Sequence, residues 1–351
     1  MSDYLTENKE RNKKGEFDKT DVLSVSGDYG IVNQIELLGR SFAGASVLPY
    51  HVVRHGNIVY TKSPLKEYPY GIVKANTGVD GIVSTLYAVY NIKNNVDAQF
   101  IEYYFSSANR TNRYFKPIVR IGAKHDMKIG NQEVLANKVT FPNLEEQTKI
   151  ASLFRFLDER IATQNKIIDK LQSLIKGIAQ KIVHSNKTNV RLSECVECSS
   201  STLQESDVCE HGAYPVYGAN GIVGYLDNYN TEGEAVYIIK DGSGVGTVSY
   251  VTGKCSATGT LNTLQAKEGY SLQYLYYLLK VFNFEPYKTG MAIPHIYFKD
   301  YGKAKFFCPS YTEQLQYAQS LSAIDSKLLV EKNILTSLSM QKKYLLRRMF
   351  I

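Results

Sequence analysis

The chain has 351 residues, 44% of them apolar and 21% charged, which is enough to bury a core and predicts two or three domains. No apolar run approaches the roughly 18 residues of a membrane span, and the charged start MSDYLTENKERNKK is unlike a signal peptide, so we predict a cytoplasmic protein. The net charge of +7 suits an anionic partner such as nucleic acid, although many ordinary proteins share it.

The first segment, residues 1–141, reads as short β-runs interrupted by glycine, asparagine and aspartate. The runs are Val22–Val25, Asn57–Thr61 and Gly81–Tyr90. An aromatic stretch, Phe100–Phe105, has helical character. This mixture predicts a globular α/β domain.

A long helix is predicted over residues 142–187, because apolar residues recur there in alternating steps of four and three. Such spacing is typical of the seam along which two helices pack. The seam comprises Ile150, Phe154, Leu157, Ile161, Gln164 and Leu171, with Gln164 as its polar break.

The second half repeats this organisation. Residues 188–308 again read as β-runs, at Gly221–Leu226, Ala235–Ile239 and Thr247–Val251, with a helical stretch at Leu272–Phe282. Residues 309–351 repeat the long helix at a constant offset (314 − 147 = 167), which superposes Gln314 on Gln147. The second seam comprises Leu321, Ile324, Leu328, Glu331 and Leu338.

The order of domain, helix, domain and helix predicts an α+β protein with two globular mixed α/β domains separated by two long helices. A helix of about 38 residues is roughly 57 Å long, whereas a globular domain of this size has a radius of gyration near about 14 Å. We therefore expect an antiparallel coiled coil and a pseudo-twofold dumbbell. In such a pair Gln164 and Glu331 roughly face each other and fix the register.

Signatures of catalytic or metal sites are weak. The glycine-rich run Lys240–Thr247 matches neither a dinucleotide nor a P-loop pattern and is read as a turn. Cys195, Cys198, Cys209 and His211 suggest zinc, but their spacing is poor and favours free thiols. We expect no catalytic residue, no metal and no cofactor in this chain.

The motif F-P-x-L-x-E-Q-x-K-I-A, which begins at Phe141, and its partner P-x-x-x-E-Q at 309–314 resemble the helical regions of Type I restriction–modification specificity subunits. Residues 190–194, 214–225, 239–242 and 256–261 resemble the target recognition domains of that family. The first half departs from the pattern, because it lacks an opening like Val190–Glu194. Either this domain is a variant without that strand or its start lies upstream.

The resemblance implies a non-catalytic subunit that binds double-stranded DNA, with each globular domain reading one half of a bipartite target. The helices would set the spacer and dock two methyltransferase subunits, and motor-nuclease restriction subunits would join them. S-adenosylmethionine, Mg and ATP would belong to those partners. The alternative is a coiled-coil adaptor that presents two protein-binding heads.

Basic residues for phosphates and polar residues for base edges are the candidate DNA contacts, although any of them can instead be a solvated surface group. In the first domain they are Ser26, Tyr29, Gln34, Lys62, Lys74, Arg110, Arg113, Arg120, Lys124 and Lys128, among which Arg110, Arg113, Arg120 and Lys124 are the densest cluster. In the second they are Tyr217, Asn220, Lys240, Ser243, Thr258, Thr260, Lys288 and His295.

Overall fold

The structure is a computed structural model that describes residues 1–65, 67–122, 127–185, 187–290 and 292–350. The chain divides into two compact units. Unit 1 comprises Met1–Thr163 with Leu335–Ile351, and unit 2 comprises Gln164–Ile334. Within the described ranges, no helix combines the length and the apolar character that a membrane crossing requires.

Short strands make up the sheets in the described part of unit 1. They are β1 Leu5–Glu7, β2 Leu23–Ser26, β3 Gly30–Asn33, β4 His51–Val53, β5 Ile58–Thr61, β6 Val73–Ala75, β7 Gly81–Val83, β8 Tyr87–Ile92, β9 Arg120–Ile121 and β10 Met127–Lys128. The main sheet has the order β1-β8-β5-β6, and all of its pairings are antiparallel. The pairs β2-β3, β4-β7 and β9-β10 are also antiparallel.

The helices of unit 1 are α1 Gln34–Leu38, α2 Ala98–Tyr104, α3 Ala108–Phe115 and the first part of α4 Leu144–Ser185, with a 3-10 turn at Glu133–Leu135. Among these helices, α2, α3 and the first part of α4 share a core with the main sheet, whereas α1 contacts the β2-β3 hairpin. Phe154 of α4 is fully buried, and its ring lies 5.1 Å from Tyr103 and 5.7 Å from Phe350. The long helix therefore supplies core residues to the first domain.

Unit 2 contains the strands β11 Val190–Arg191, β12 Val196–Ser200, β13 Tyr214–Gly218, β14 Gly221–Leu226, β15 Glu234–Ile239, β16 Val248–Thr252, β17 Ser256–Ala257, β18 Leu261–Ala266 and β19 Lys305–Phe306. Its helices are α5 Leu192–Cys195, α6 Leu272–Val281, α7 Phe298–Tyr301 and most of α8 Tyr311–Met349, with 3-10 turns at Glu205–Asp207 and Glu285–Tyr287. The main sheet has the order β12-β18-β15-β16, again antiparallel throughout. Each strand of this main sheet thus has a counterpart at the same place in the main sheet of unit 1.

The first residues of the chain make the contacts that α5 makes in unit 2. Met1 donates from its amine to the carbonyl of Asn137, 2.5 Å away, and the Ser2 amide donates to Leu135. In unit 2 the amides of Leu192 and Ser193 donate to Ala304 and Gly302, which occupy the positions of Asn137 and Leu135 in the repeat. Met1 and Leu192 are both buried. The first domain therefore packs around Met1 as the second packs around Leu192.

The two long helices have 42 and 39 residues, or roughly 60 Å each at about 1.5 Å per residue. Within unit 1, Asp158 pairs with Lys342, and Phe154, one turn earlier, stacks on Phe350, so the two helix segments run antiparallel there. The predicted α+β class with two long helices is confirmed. The predicted boundaries at 141, 187 and 308 separate the globular domains from the long helices. The two compact units instead divide each long helix between them, so the predicted boundaries stay a prediction.

Candidate nucleic-acid interface

A buried glutamine joins each globular domain to the start of its own long helix. The Gln147 amide oxygen accepts from Asp97, the residue that caps α2, at 3.0 Å, and its nitrogen donates to the Pro142 carbonyl at 2.8 Å. In unit 2, Gln314 accepts from Ser271, the cap of α6, and donates to the Pro309 carbonyl, both at 2.9 Å. The proline and the glutamine of the sequence motif, five positions apart, are therefore in direct contact in both units.

A tyrosine–aspartate hydrogen bond makes a second connection between each domain and its long helix, further along that helix. Tyr103 donates to Asp158 at 2.9 Å in unit 1, and Tyr277 donates to Asp325 at 3.4 Å in unit 2. Burial and the nearby carboxylate raise the pKa of both phenols, so they remain donors at neutral pH. Together with the glutamine, this bond holds each domain on its helix. The sequence singled out neither tyrosine as functional; the shared helical periodicity was their only signal.

The predicted seam residues are all buried or half-buried: Ile150, Phe154, Leu157, Ile161, Gln164, Leu171, Leu321, Ile324, Leu328, Glu331 and Leu338. At the polar break, within unit 2, the Gln164 amide donates both to the Glu331 carboxylate and, at 3.1 Å, to the Glu331 carbonyl. The ammonium of Lys327 also contacts that carboxylate at 2.5 Å. These neighbours lower the pKa of Glu331, with Lys327 the larger cause, and keep it charged.

Three of the basic candidates in the first domain point inward. The Lys62 ammonium donates to Asn131 at 2.6 Å, and Lys74 pairs with Glu102 at 3.1 Å. Arg110 donates to the Tyr104 carbonyl at 3.0 Å and to the Phe350 carbonyl, with its guanidinium over both rings. These contacts stabilise the fold of unit 1. DNA binding by these three residues stays a prediction, and their inward positions do not favour it.

The β2-β3 hairpin and the residue that follows it carry the polar candidates of the first domain. The Ser26 hydroxyl accepts from the Tyr29 amide at 3.2 Å within the turn, and Tyr29 is 69% exposed. Gln34 is occupied, because it donates to Ser24 and accepts from the Phe42 amide. Tyr29 is therefore the member of this group whose side chain is best placed to meet a base.

The remaining basic candidates of the first domain lie on its surface. Arg113, in the last turn of α3, is exposed, as are Arg120 and Lys128. Arg120 and Lys128 stand directly opposite each other in the β9-β10 ladder. Lys124 lies outside the described residues.

In the second domain, Asn220 is exposed in the turn that links β13 to β14, whereas Tyr217 packs on Tyr237 with ring centroids 5.6 Å apart. Thr258 is 1% exposed, and its hydroxyl lies 2.8 Å from that of Thr260. Asn220 is therefore the accessible member of this group.

A second group surrounds the glycine-rich turn. Asp241 forms a β-bridge with His295, and the Gly242 amide donates to the Pro294 carbonyl at 2.9 Å. Lys240 lines a cavity of about 520 Å³, Ser243 is exposed, and Lys288 pairs with Glu285 at 2.5 Å. The structure thus brings Lys240 and His295 to one edge of the domain.

The cysteines do not gather as a zinc site would require. Cys195 lies 3.8 Å from Cys308, sulfur to sulfur, and both are buried, whereas Cys209 and His211 are exposed. In the described part of the chain, no three histidine, cysteine or acidic side chains meet at a point where a metal could bind.

Comparisons with known proteins identify a relationship. Residues 184–340 match the family model for the Type I restriction modification DNA specificity domain. A 113-residue segment is 27% identical to the EcoprrI specificity subunit of Escherichia coli, and 82 residues are 35% identical to a putative Type I specificity subunit of Haemophilus influenzae. These alignments span 28% and 21% of those relatives, and 32% and 22% of this chain.

Solved structures share the fold along nearly the whole chain. The S subunit of a Type I restriction–modification system from M. genitalium has a TM-score of 0.65 at 17% identity, with 99% of this chain and 94% of that one covered. A chain from a study of Type I complex assembly and conformational transition has a TM-score of 0.55 at 15% identity, covering 99% and 95%. The resemblance inferred from the sequence motifs is therefore confirmed.

Proposed function

We propose that the whole chain, whose residues 184–340 belong to the Type I restriction modification DNA specificity domain family, is the DNA-recognition subunit of a Type I restriction–modification enzyme. Each domain reads one half of a bipartite duplex target, and the long helices set the unread spacer. The subunit works in the cytoplasm and is not itself an enzyme.

The repeated joint between domain and helix carries this proposal. Two domains with the same strand order are each fixed to a long helix by the same glutamine and tyrosine–aspartate contacts. A protein that reads two half-sites needs two recognition domains held rigidly on a common support. Exposed candidates on both domains, such as Arg120 and Asn220, supply groups for phosphates and base edges.

The long helices also offer surfaces for partner subunits. Leu153, Phe156 and Leu174 of α4 are 40%, 59% and 49% exposed, although they lie on a helix whose seam is already buried. Large exposed apolar side chains that recur along one helix favour a protein partner. We propose that two methyltransferase subunits dock along these helices and that motor-nuclease restriction subunits join them. S-adenosylmethionine, Mg and ATP bind to those partners.

Exchanging residues 188–308 for the matching segment of another specificity subunit tests the proposal. Co-expressed with its methyltransferase, the exchanged chain should methylate a target changed in one half only, as read by sequencing methylated adenines. Exchanging residues 1–141 is the matched control and should change the other half. A change in both halves from a single exchange would contradict the two-domain assignment.

The adaptor alternative predicts no association with DNA at all. An electrophoretic mobility shift with a mixed-sequence duplex separates the two functions, because phosphate contacts make association sensitive to salt. A complex that weakens as salt rises supports DNA recognition, and no complex at low salt supports the adaptor.

A further inference from the structure

The β9-β10 ribbon of unit 1 presents two cations on one face. Arg120 pairs with Lys128 in the antiparallel register, and both side chains are exposed. The flanking residues Val119, Met127 and Ile129 are buried in the core of the unit. Because alternate residues of a strand point to opposite faces, the ribbon is fixed by an apolar face and turns its cationic face to solvent.

Arg120 and Lys128 repel each other in the free protein. Residues directly opposite on one face of a ladder have Cβ atoms about 4.5–5.5 Å apart, and like charges there are destabilising. Within the ranges the structure describes, neither side chain has an ion pair with a carboxylate. An anion between the two cations would replace this repulsion with two attractions.

The ribbon is anchored to the main sheet by Asn131, three positions beyond the end of β10. Asn131 accepts from Lys62 at 2.6 Å, donates to Glu7 at 2.8 Å, and receives the Tyr90 hydroxyl on its carbonyl at 2.9 Å. Lys62, Glu7 and Tyr90 lie on or next to strands of that sheet. Lys62 thus acts as a positioning residue. A site held in this way needs little reorganisation when it binds.

We propose that Arg120 and Lys128 together clamp one phosphodiester of the DNA backbone. This assignment rests on the proposed function and deepens it by naming a contact. The planar guanidinium offers two parallel donors to phosphate oxygens, and the ammonium adds a compact charge. Because both act on the same phosphate, their contributions to affinity are coupled.

Two other hairpins, the counterpart of the ribbon in unit 2 and the β2-β3 hairpin of unit 1, do not carry such a pair of cations. The position equivalent to Lys128 in unit 2, at the offset of the repeat, is His295, which is bridged to Thr289 rather than to a cation. The β2-β3 hairpin carries Asp28 in its exposed turn and no basic residue. The clamp is therefore a feature of the first domain, and its loss leaves the second domain's contacts unchanged.

The test measures affinity of the full-length chain for a mixed-sequence duplex as a function of salt. Arg120→Ala, Lys128→Ala and the double variant should each reduce the slope of log affinity against log salt by roughly one, the value for one phosphate. The double variant should lose little more affinity than either single variant. Additive losses would mean two separate phosphates and would overturn the clamp.

Charge reversal distinguishes the clamp from a structural role. Lys128→Glu should weaken binding by at least about tenfold, yet leave the thermal midpoint unchanged or higher, because the residue opposite is Arg120. Lys19→Glu is the matched control: the same change at another exposed position should alter affinity much less.

Four further results would overturn the proposal. A lower thermal midpoint for Lys128→Glu would show that the lysine is already paired, for example with Asp126, which lies outside the described residues. Equal weakening by Lys19→Glu would show only a general effect of charge. Unchanged affinity in all ribbon variants would refute the clamp and leave the proposed function intact, whereas failure of the wild-type chain to bind any duplex would refute both.

Discussion

Lowering the pH should destabilise the first domain through His51. This residue, on β4, is 2% exposed, and its Nδ1 is buried with no hydrogen-bond partner in the described part of the chain. Burial lowers the pKa of His51 to about 4, and the cations Arg11 and Lys62 contribute, while Glu7 opposes them. The imidazole is therefore neutral in the folded protein at pH 7.

The sign and size of the effect follow from the two pKa values. Above the ordinary value of 6.5 the imidazole is neutral in both states, and the stability is fully present. As the pH falls from 6.5 towards 4, the unfolded chain takes up a proton that the folded domain resists, so stability is lost. At pH 5 the loss from this one group is about 2 kcal/mol.

Hydrogen exchange of peptides that cover β4 and β5 measures this locally, at pH 7 and pH 5 after correction for intrinsic exchange. His51→Gln cannot take up the proton, so its loss of protection between the two pH values should be smaller than in the wild type by about 2 kcal/mol. His55→Gln, at an exposed position shortly after β4, is the control and should behave like the wild type. Equal losses in His51→Gln and wild type would show that the folded domain accommodates the protonated imidazole, which would refute the reasoning.

Substitutions at three further places test the packing of the long helices. Arg110→Ala should lower the thermal midpoint but leave the salt dependence of DNA binding unchanged, since the guanidinium holds backbone carbonyls. Phe154→Ala should cost about 3–5 kcal/mol in urea unfolding, whereas Phe156→Ala, at a 59% exposed position, should cost little. Gln164→Leu or Glu331→Leu alone should lower the thermal midpoint, because each leaves a buried polar side chain without its partner. The double variant should recover the thermal midpoint. A double variant less stable than either single one would contradict this.

The long helices could be predicted from the sequence because their signal is local and repeated. Heptad spacing continues over the whole of α4, and one constant offset transfers it to α8. The offset also placed Gln164 opposite Glu331, which requires only a helical period and an antiparallel pairing. The helical stretch at Leu272–Phe282 appears as α6 for the same reason.

The role of individual basic residues could not be predicted, because their partners are distant in the sequence. The side chain of Lys62 is occupied by Asn131, 69 positions away, and that of Arg110 by the carbonyl of Phe350, 240 positions away. Charge is visible in a sequence, but a buried acceptor is not. The cross-strand pairing of Arg120 with Lys128 was hidden for the same reason, since it depends on the register of a ribbon with two residues in each strand.

The lengths of the repeated parts bear on the proposal that one chain reads two different half-sites. The first strands repeat at an offset of 196 − 5 = 191, their partner strands at 266 − 92 = 174, and the long helices at 314 − 147 = 167. Because the offset falls at each step, the second copy is shorter than the first both between its first strand and that strand's partner, and between the partner and the long helix. The strand order of the main sheet and the glutamine contacts that join each domain to its helix are nevertheless shared by both units. Because the strand order is constant while the connections differ, the turns that carry Tyr29 and Asn220 and the strand that carries Arg120 present different groups on similar supports. A protein that reads two different half-sites requires this combination of a constant strand order and surface segments that differ between its two domains.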